Sequence, residues 1–436
     1  MPQKMERQQW VRVFAAWTGW MMDGYVTISY AIVAPTVIAL EILPPGGLAF
    51  LSPLASALLG LAVNAIARSI GSLVFGNFLG DKIGRRMMLT VTVVGFSLFS
   101  FLLGLLPTYA SIGLAAVVIL YVLLFVMGLF AGAEYGGGAA LATESVPPEK
   151  RGFIGAFVQS GFGVGYFIVS LVYSLFITEL GATGFASFGW RYLFFTSLIP
   201  AAIAVGTRFG STDSPVFQDM KAHREVEKVP LLKMFTQSPK AFLAAVLITT
   251  GLLYINSGTL SFFPTVFHAE SVNEASVGLL LAAVNFLSLL GVWIGGALMM
   301  KIPGRRFSMV LFSALFLILY GPFLLIGYSQ STASIVLGFG MVSFLEAMIF
   351  AALPSFLSET FSKKYRATAV GTSYNAGAII GGFAPTIIVS TEFLGGIMGA
   401  WIFNIGIATV AMIIGIVISA ETWKHDAGKS HDVIAN

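Results

Sequence analysis

The sequence predicts an all-α polytopic membrane protein whose twelve transmembrane helices form two pseudo-symmetric six-helix bundles. Composition is the first observation: the chain is 57% hydrophobic and only 10% charged, whereas soluble domains carry roughly 25% charged residues. The second is that no Asp, Glu, Lys or Arg occurs between Met87 and Ala133. That stretch suits two spans of about 20 residues each, with Pro107 at the turn. The third, an internal repeat, predicts the two bundles.

Twelve stretches with few or no charges are the predicted spans. They cover residues 11–40, 54–79, 87–106, 113–141, 152–177, 190–207, 241–267, 275–300, 307–327, 333–357, 367–390 and 397–420. All of the 24 Lys and Arg residues except Arg68 and Arg191 fall at the ends of the chain and in alternate connections. Because basic loops are retained in the cytoplasm, we expect a multi-pass protein of the cell (plasma) membrane with both termini cytoplasmic.

The longest polar connection, around residues 207–235, divides the chain into two sets of six spans. We therefore predict an N-terminal six-helix bundle over 1–208 and a cytoplasmic central loop over 209–240. The C-terminal six-helix bundle, with a short cytoplasmic tail, then covers 241–436.

The two halves echo each other in their basic loops. GDKIGRR (80–86) follows the second span, and KIPGRR (301–306) follows the eighth. After the fourth and tenth spans, a Glu precedes an Arg by seven residues in both halves. Two halves with matching loops are typical of transporters that rock around a site near the middle of the membrane.

Three stretches of the sequence resemble the major facilitator superfamily and, within it, the metabolite:proton symporter branch. They are ARSIGSLVFGNFLGDKIGRR (67–86), GLFAGAEYGGGAALATESVPPEKRG (128–152), and GWRYLFF followed by TDSPVF (189–195 and 212–217). The resemblance implies the major facilitator fold and secondary active transport by alternating access. It also implies uptake of a small polar metabolite, an organic acid, by proton symport.

The resemblance further implies a cytoplasmic ion-pair cluster that locks the outward-open state. Its members are Gly80, Asp81, Gly84, Arg85, Arg86, Glu144 and Arg151, with Glu359 and Arg366 as counterparts in the second half. The alternative is that these charges only set the topology. The sequence departs from the branch at Leu124, where many members carry an arginine, so a coupling scheme that relies on that arginine does not transfer.

Four ionisable residues lie deep within the predicted spans: Asp23, Arg68, Glu134 and Glu346. A lone charge at the bilayer centre costs about 2.5–3.5 kcal/mol, so these side chains are expected to face a cavity or one another. Arg68 stays charged and needs an anion, which Asp23, Glu134 or a substrate carboxylate supplies. We predict that the four serve proton coupling or substrate binding. The alternative is a fixed ion pair that holds helices together.

Polar side chains within the spans are candidates to line a cavity. They are Tyr25, Tyr135, Gln159, Asn256, Asn285 and Asn375. An amide in a span needs a hydrogen-bond partner, so each of them either contacts substrate or bridges two helices. Arg68 is the only cation within a span near Glu134, and a free guanidinium there favours a carboxylate substrate.

The sequence predicts no enzyme, no cofactor and no metal site. It contains no cysteine, and its four histidines form no ligand spacing; no nucleophile–base set or Gly-rich nucleotide loop occurs either. The predicted partners are a small-molecule substrate, protons and the lipid bilayer, with no nucleic acid and a functional monomer. Three alternatives remain open: a carrier for a sugar or other neutral solute, an exporter on the same fold, and a non-transporting membrane receptor.

Overall fold

The computed structural model describes residues 5–75, 85–223, 230–302, 304–329 and 331–422. The predicted gate residues Gly80, Asp81 and Gly84, and the side chain of Arg85, lie outside the described residues. Helices make up most of the described chain, and no strand occurs in it.

Helices follow one another along the chain with short connections. The first half of the chain contains α1 (Arg7–Val33, continued by the π-helical segment Ala34–Ile42), α2 (Pro53–Leu73), α3 (Arg85–Leu103), α4 (Leu114–Ala131), α5 (Glu134–Glu144), α6 (Arg151–Gly184), α7 (Trp190–Phe195) and α8 (Leu198–Phe209). The central connection contains α9 (Pro215–Ala222) and α10 (Pro230–Gln237). The second half contains α11 (Pro239–Gly258), α12 (Phe263–Ala269), α13 (Glu274–Met299), α14 (Arg305–Gly327), α15 (Thr332–Thr360), α16 (Arg366–Gly382), α17 (Ala384–Ser390) and α18 (Gly396–Ile418).

Ten stretches of the described residues are long and apolar enough to cross a membrane. The longest, Pro148–Phe209, has 62 residues, or about 93 Å of helix, so it must turn back across a hydrocarbon core of about 30 Å. The turn lies at Gly181, whose φ of 68° favours glycine because a Cβ would be strained there. With α16 and α17 taken as a further crossing, this grouping is compatible with the twelve predicted spans.

Two apolar helices are interrupted near their middles, where the sequence predicts continuous spans. α4 and α5 are separated at Gly132 and Ala133, and α11 and α12 are separated between Gly258 and Phe263. Such a break frees backbone carbonyls that must be satisfied inside the protein. The Gly132 carbonyl accepts a hydrogen bond from Asn375 Nδ2 at 2.9 Å. Discontinuous helices of this kind form the central sites of transporters.

The two halves of the chain pack against each other along several helices. α6 packs against α13 and α15, while α2 and α5 pack against α16. The helix breaks and the buried ionisable side chains described next lie among these helices. The seam between the halves is therefore the place to look for a functional site.

Candidate functional site

Asp23 and Arg68 form a buried bidentate ion pair between α1 and α2. Arg68 Nη1 donates to Asp23 Oδ2 at 3.0 Å, and Nη2 pairs with Oδ1. Arg68 Nε also donates to Asn64 Oδ1 at 3.0 Å, and Asp23 is only 2% exposed. Of the anions that the sequence leaves open for Arg68, the structure thus provides Asp23.

Glu134 has a cationic partner that the sequence did not predict. Arg208, in the last turn of α8, is buried and pairs with Glu134 Oε1 while also donating to the Leu89 carbonyl. Thr92 Oγ1 donates to Glu134 Oε2 at 3.5 Å. The expectation that Arg68 is the cation for Glu134 is therefore wrong, because Arg208 lies one residue beyond the predicted sixth span (190–207) but is buried near the end of α8 in the structure.

A glycine in α1 makes room for the Glu134–Arg208 pair. A Cβ built on Gly19 would overlap both Glu134 Oε1 and the Arg208 guanidinium. The pair therefore ties together α1, α3, α5 and α8, all from the first half of the chain. In the stretch GWMMDGYV (19–26), Gly19 thus makes room for the Glu134–Arg208 pair, and Asp23 pairs with Arg68.

Glu346 in α15 is buried without a cationic partner among the described residues. Asn256 Nδ2 donates to its Oε1 at 2.7 Å, and Thr259 Oγ1 donates to its Oε2 at 2.5 Å. Both donors lie at the end of α11, where the helix breaks. Glu346 lines a small cavity of about 30 Å³ between α6, α11, α13 and α15, together with Gln159, Ser160, Asn256 and Ser288.

An aromatic cluster closes the seam beside the Asp23–Arg68 pair. Tyr135 of α5 stacks on Tyr374 of α16 with ring centroids 3.5 Å apart, and Trp20 of α1 contacts both rings. The indole nitrogen of Trp20 and the Tyr135 hydroxyl are buried and have no hydrogen-bond partner among the described residues. Such orphan donors are costly to bury, which makes these two groups candidates to hydrogen-bond a polar ligand.

Some of the predicted cavity residues bridge two helices, and others line the cavity or belong to the aromatic cluster. Tyr25 hydrogen-bonds Thr196 at 2.8 Å within the first half. Asn285 Nδ2 donates to the Gly163 carbonyl at 2.6 Å, and Asn375 bridges to Gly132, so both amides link the two halves. Of the predicted set, Gln159 and Asn256 line the cavity at Glu346, and Tyr135 belongs to the aromatic cluster.

One end of the molecule, which we call the basic face, carries Arg12, Arg86, Arg151, Arg305 and Arg366. Glu144 of the first half pairs with Arg366 of the second at 3.6 Å and accepts from Ser214 at 2.6 Å. The Glu144–Arg366 ion pair therefore links the two halves across the seam.

The other described gate residues bind nearby groups within their own half. Arg86 donates to the carbonyls of Arg208 and Phe209, and Arg151 donates to the Thr143 carbonyl at 3.1 Å. Glu359 pairs with Arg305 at 3.3 Å.

The seam is also closed at the end opposite the basic face. Tyr173 of α6 donates to Glu274 Oε2 of α13 at 2.7 Å, and His268 Nδ1 lies 3.3 Å from Glu274 Oε1. Deeper in the seam, Tyr166 donates to the Leu260 carbonyl at 2.9 Å. The described conformation is therefore closed at both ends around the buried ionisable groups.

We expect Gly136→Ala to prevent closure at the basic face. A Cβ on Gly136 would lie 2.6 Å from Gly371 Cα and 2.7 Å from the Ala367 carbonyl oxygen across the seam, contacts too short for backbone atoms to relieve. Since the chain has no cysteine, a single Ser355→Cys reporter, fully buried at the seam, can be labelled with a maleimide. Its labelling rate should rise at least about tenfold with Gly136→Ala if the seam stays open.

The neighbouring Gly138→Ala is the matched control for this experiment. A Cβ on Gly138 finds its nearest atom, Ala16 Cβ, at 3.6 Å, which is ordinary van der Waals contact. Labelling of the reporter should therefore stay at the unmodified rate. Equal labelling of the two glycine variants would contradict the assignment of Gly136 to the closing seam.

Comparison with known proteins agrees with this architecture. The profile of the Major Facilitator Superfamily matches residues 13–385. The inner membrane metabolite transport protein YhjE of Escherichia coli (strain K12) is 32% identical, covering 90% of each chain. The shikimate transporter of the same organism is 28% identical over 93% of this chain and 92% of its own.

A solved structure extends the comparison to the fold. The crystal structure of a D-xylose–proton symporter superposes with a TM-score of 0.70, at 18% identity, over 95% of this chain and 99% of the other. At that identity the likeness concerns the fold alone. Together with the interrupted helices and the buried charges at the seam, the sequence match over most of the chain is decisive: this protein is a multi-pass membrane transporter of the Major Facilitator Superfamily and not an enzyme.

Proposed function

We propose that this transporter takes up a small organic acid together with protons by alternating access. The observation that carries the proposal is the buried Asp23–Arg68 pair beside an aromatic cluster that spans the seam. One relative, named for shikimate, an organic anion, supports the same substrate class. In this proposal the halves 1–208 and 241–436 move as two bundles joined by the 209–240 loop, and the protein works as a monomer.

The Asp23–Arg68 ion pair determines when a substrate carboxylate can bind to Arg68. Arg68 is already neutralised by Asp23, so it is no free anion site and does not by itself favour a carboxylate. A substrate carboxylate can pair with Arg68 only after the Asp23–Arg68 pair has broken. In this proposal the pair breaks when Asp23 is protonated. The buried site then exchanges one carboxylate for another, and its net charge stays at zero.

This exchange couples the two solutes with a defined stoichiometry. Each monoanionic substrate enters with one proton on Asp23, because burying a second unpaired carboxylate beside Arg68 would be costly. Deprotonation on the other side restores the Asp23–Arg68 pair and expels the substrate. Glu134 is already paired with Arg208, and Glu346, which has no cationic partner among the described residues, takes no part in this one-proton exchange at Arg68.

We place the basic face in the cytoplasm, with both termini there and the protein in the cell membrane, because basic loops are retained on that side. The Glu144–Arg366 contact is then the inner gate, and the Tyr173–Glu274 contact is the outer gate. A transport equilibrium requires a bias of only a few kcal/mol between states, which is within reach of such contacts.

A neutral polar solute is the second candidate substrate. The cavity at Glu346 is lined by the amides and hydroxyls of Gln159, Ser160, Asn256 and Ser288, groups that suit hydroxylated solutes. If Arg68 remains paired with Asp23 throughout the transport cycle, it offers no site to a substrate carboxylate. A neutral solute is then the better-supported substrate. Transport in the outward direction on the same fold would leave these site arguments unchanged.

Uptake by proteoliposomes tests the proposal. A panel of labelled carboxylates, zwitterions and sugars is offered with and without an inward-directed proton gradient. We expect gradient-driven accumulation of at least one carboxylate, and Arg68→Lys should reduce it more than it reduces any neutral-solute uptake because bidentate pairing is lost. Accumulation of sugars but of no carboxylate would refute the organic-acid assignment. Glu392→Gln, at an exposed position remote from the site, should behave as the unmodified protein.

A further inference from the structure

We propose that the cavity at Glu346 is a sodium site, separate from the Asp23–Arg68 pair. The cavity is lined by residues of both halves: Gln159 and Ser160 come from α6, whereas Asn256, Ser288 and Glu346 come from the second half. A cation bound here would therefore bridge the two halves. The inference does not depend on which solute the protein carries.

The buried charge of Glu346 favours a cation at this site. Glu346 is 1% exposed, and no Lys, Arg or His side chain pairs with it among the described residues. Its two hydrogen-bond partners, Asn256 and Thr259, are both neutral donors, an arrangement that suits an ionised carboxylate. A single buried negative charge is balanced by one monovalent cation, and a divalent cation would leave an excess positive charge.

The cavity also offers oxygen ligands to a cation. An ionised carboxylate offers about four lone-pair positions, and the bonds from Asn256 and Thr259 occupy two of them. Gln159 lines the same cavity, is 9% exposed, and its Oε1 is buried without a hydrogen-bond partner among the described residues. Because Asn256 donates through Nδ2, its Oδ1 can act as a ligand.

The backbone at the end of α11 favours a cation as well. α11 ends at Gly258, directly beside the two side chains that hold Glu346. The C-terminal end of a helix carries a partial negative charge, and ends of interrupted helices coordinate coupling cations in transporters. Both features favour a cation over an anion at this position.

The size of the cavity matches a small ion. A cavity of about 30 Å³ holds roughly two water molecules, so no metabolite fits beside Glu346 in this conformation. A dehydrated sodium ion with one water fits such a space. In this closed conformation the site is therefore suited to a small ion.

Sodium binding to the purified protein tests the proposal without any transported solute. Thermal unfolding and binding of radioactive sodium are measured at constant ionic strength, with potassium and choline chloride as comparisons. We expect a saturable rise in Tm and about one bound sodium ion per chain, with little response to potassium or choline. Glu346→Gln should lower the sodium affinity at least about tenfold, since it removes the negative charge that the cation balances.

Two further variants keep the experiment decisive if Glu346→Gln folds poorly. Gln159→Ala keeps the carboxylate but removes the orphan oxygen, and it should weaken sodium binding several-fold. Glu392→Gln removes an exposed carboxylate and should bind sodium normally.

An equal effect of the three salts on the unmodified protein would refute the site. So would a pH-dependent stability that needs Glu346 but ignores sodium, which would make Glu346 a proton carrier only. Either result leaves the Asp23 exchange standing, and loss of carboxylate uptake leaves the sodium site standing.

Discussion

Asp23→Asn is expected to abolish accumulation driven by a proton gradient while sparing exchange of substrate across the membrane. Asparagine is neutral at every pH, so Arg68 becomes available to a substrate carboxylate without any proton. Binding therefore persists, but no free energy passes from protons to substrate. With one proton per carboxylate, a gradient of one pH unit is worth about 1.4 kcal/mol, or roughly tenfold accumulation, and the variant should lose all of it.

Proteoliposomes loaded with unlabelled substrate measure the exchange, and empty ones under a proton gradient measure the accumulation. The apparent affinity for the carboxylate should depend on pH in the unmodified protein and be independent of it in Asp23→Asn. Asp219→Asn is the control, because Asp219 lies exposed on α9. Wild-type accumulation in Asp23→Asn would remove Asp23 from the coupling mechanism.

Arg208→Met is expected to destabilise the protein by about 3–5 kcal/mol, because it leaves Glu134 buried without its cation. The Leu89 carbonyl also loses its donor. The double variant Glu134→Gln with Arg208→Met should recover most of the loss, since replacing both members of a buried pair with neutral groups is often tolerated. Unfolding in mixed micelles gives the free energies for this double-mutant cycle.

Arg12→Met is the matched control for Arg208→Met. Arg12 lies on the basic face, and among the described residues its side chain donates to Thr212 Oγ1 at 2.8 and 3.1 Å in solvent-exposed hydrogen bonds, so its loss should cost about 1 kcal/mol or less. A similar cost for both arginines would contradict a buried pair. Uptake by the double variant separates the roles of Glu134: proton-driven accumulation should survive if the glutamate is structural, and it should disappear if Glu134 carries the proton.

The sequence alone was sufficient to predict the membrane class and four of the buried charges. Asp23, Arg68, Glu134 and Glu346 stand out because a charge inside an apolar stretch is costly in lipid, and all four are buried in the structure. The loop echo around Glu144 and Glu359 is equally visible, since basic residues between spans leave a regular pattern. These features depend on local composition, so they can be predicted from the sequence without any knowledge of how the helices pack.

The partners of those charges were decided by the tertiary structure. Arg208 reaches Glu134 because α8 ends beside α3 and α5. Since Arg208 lies at the boundary of a predicted span, the sequence alone did not predict that it is buried. Arg366 meets Glu144 across the seam although 222 positions separate them in the numbering. Helix breaks at Gly132 and Gly258 were also invisible, because lipid-facing and buried apolar residues look alike in hydropathy. The hydropathy of each segment determines whether it lies in the membrane, and so which charges lie there. Which of these charges pair depends on the packing of helices that are far apart in the chain.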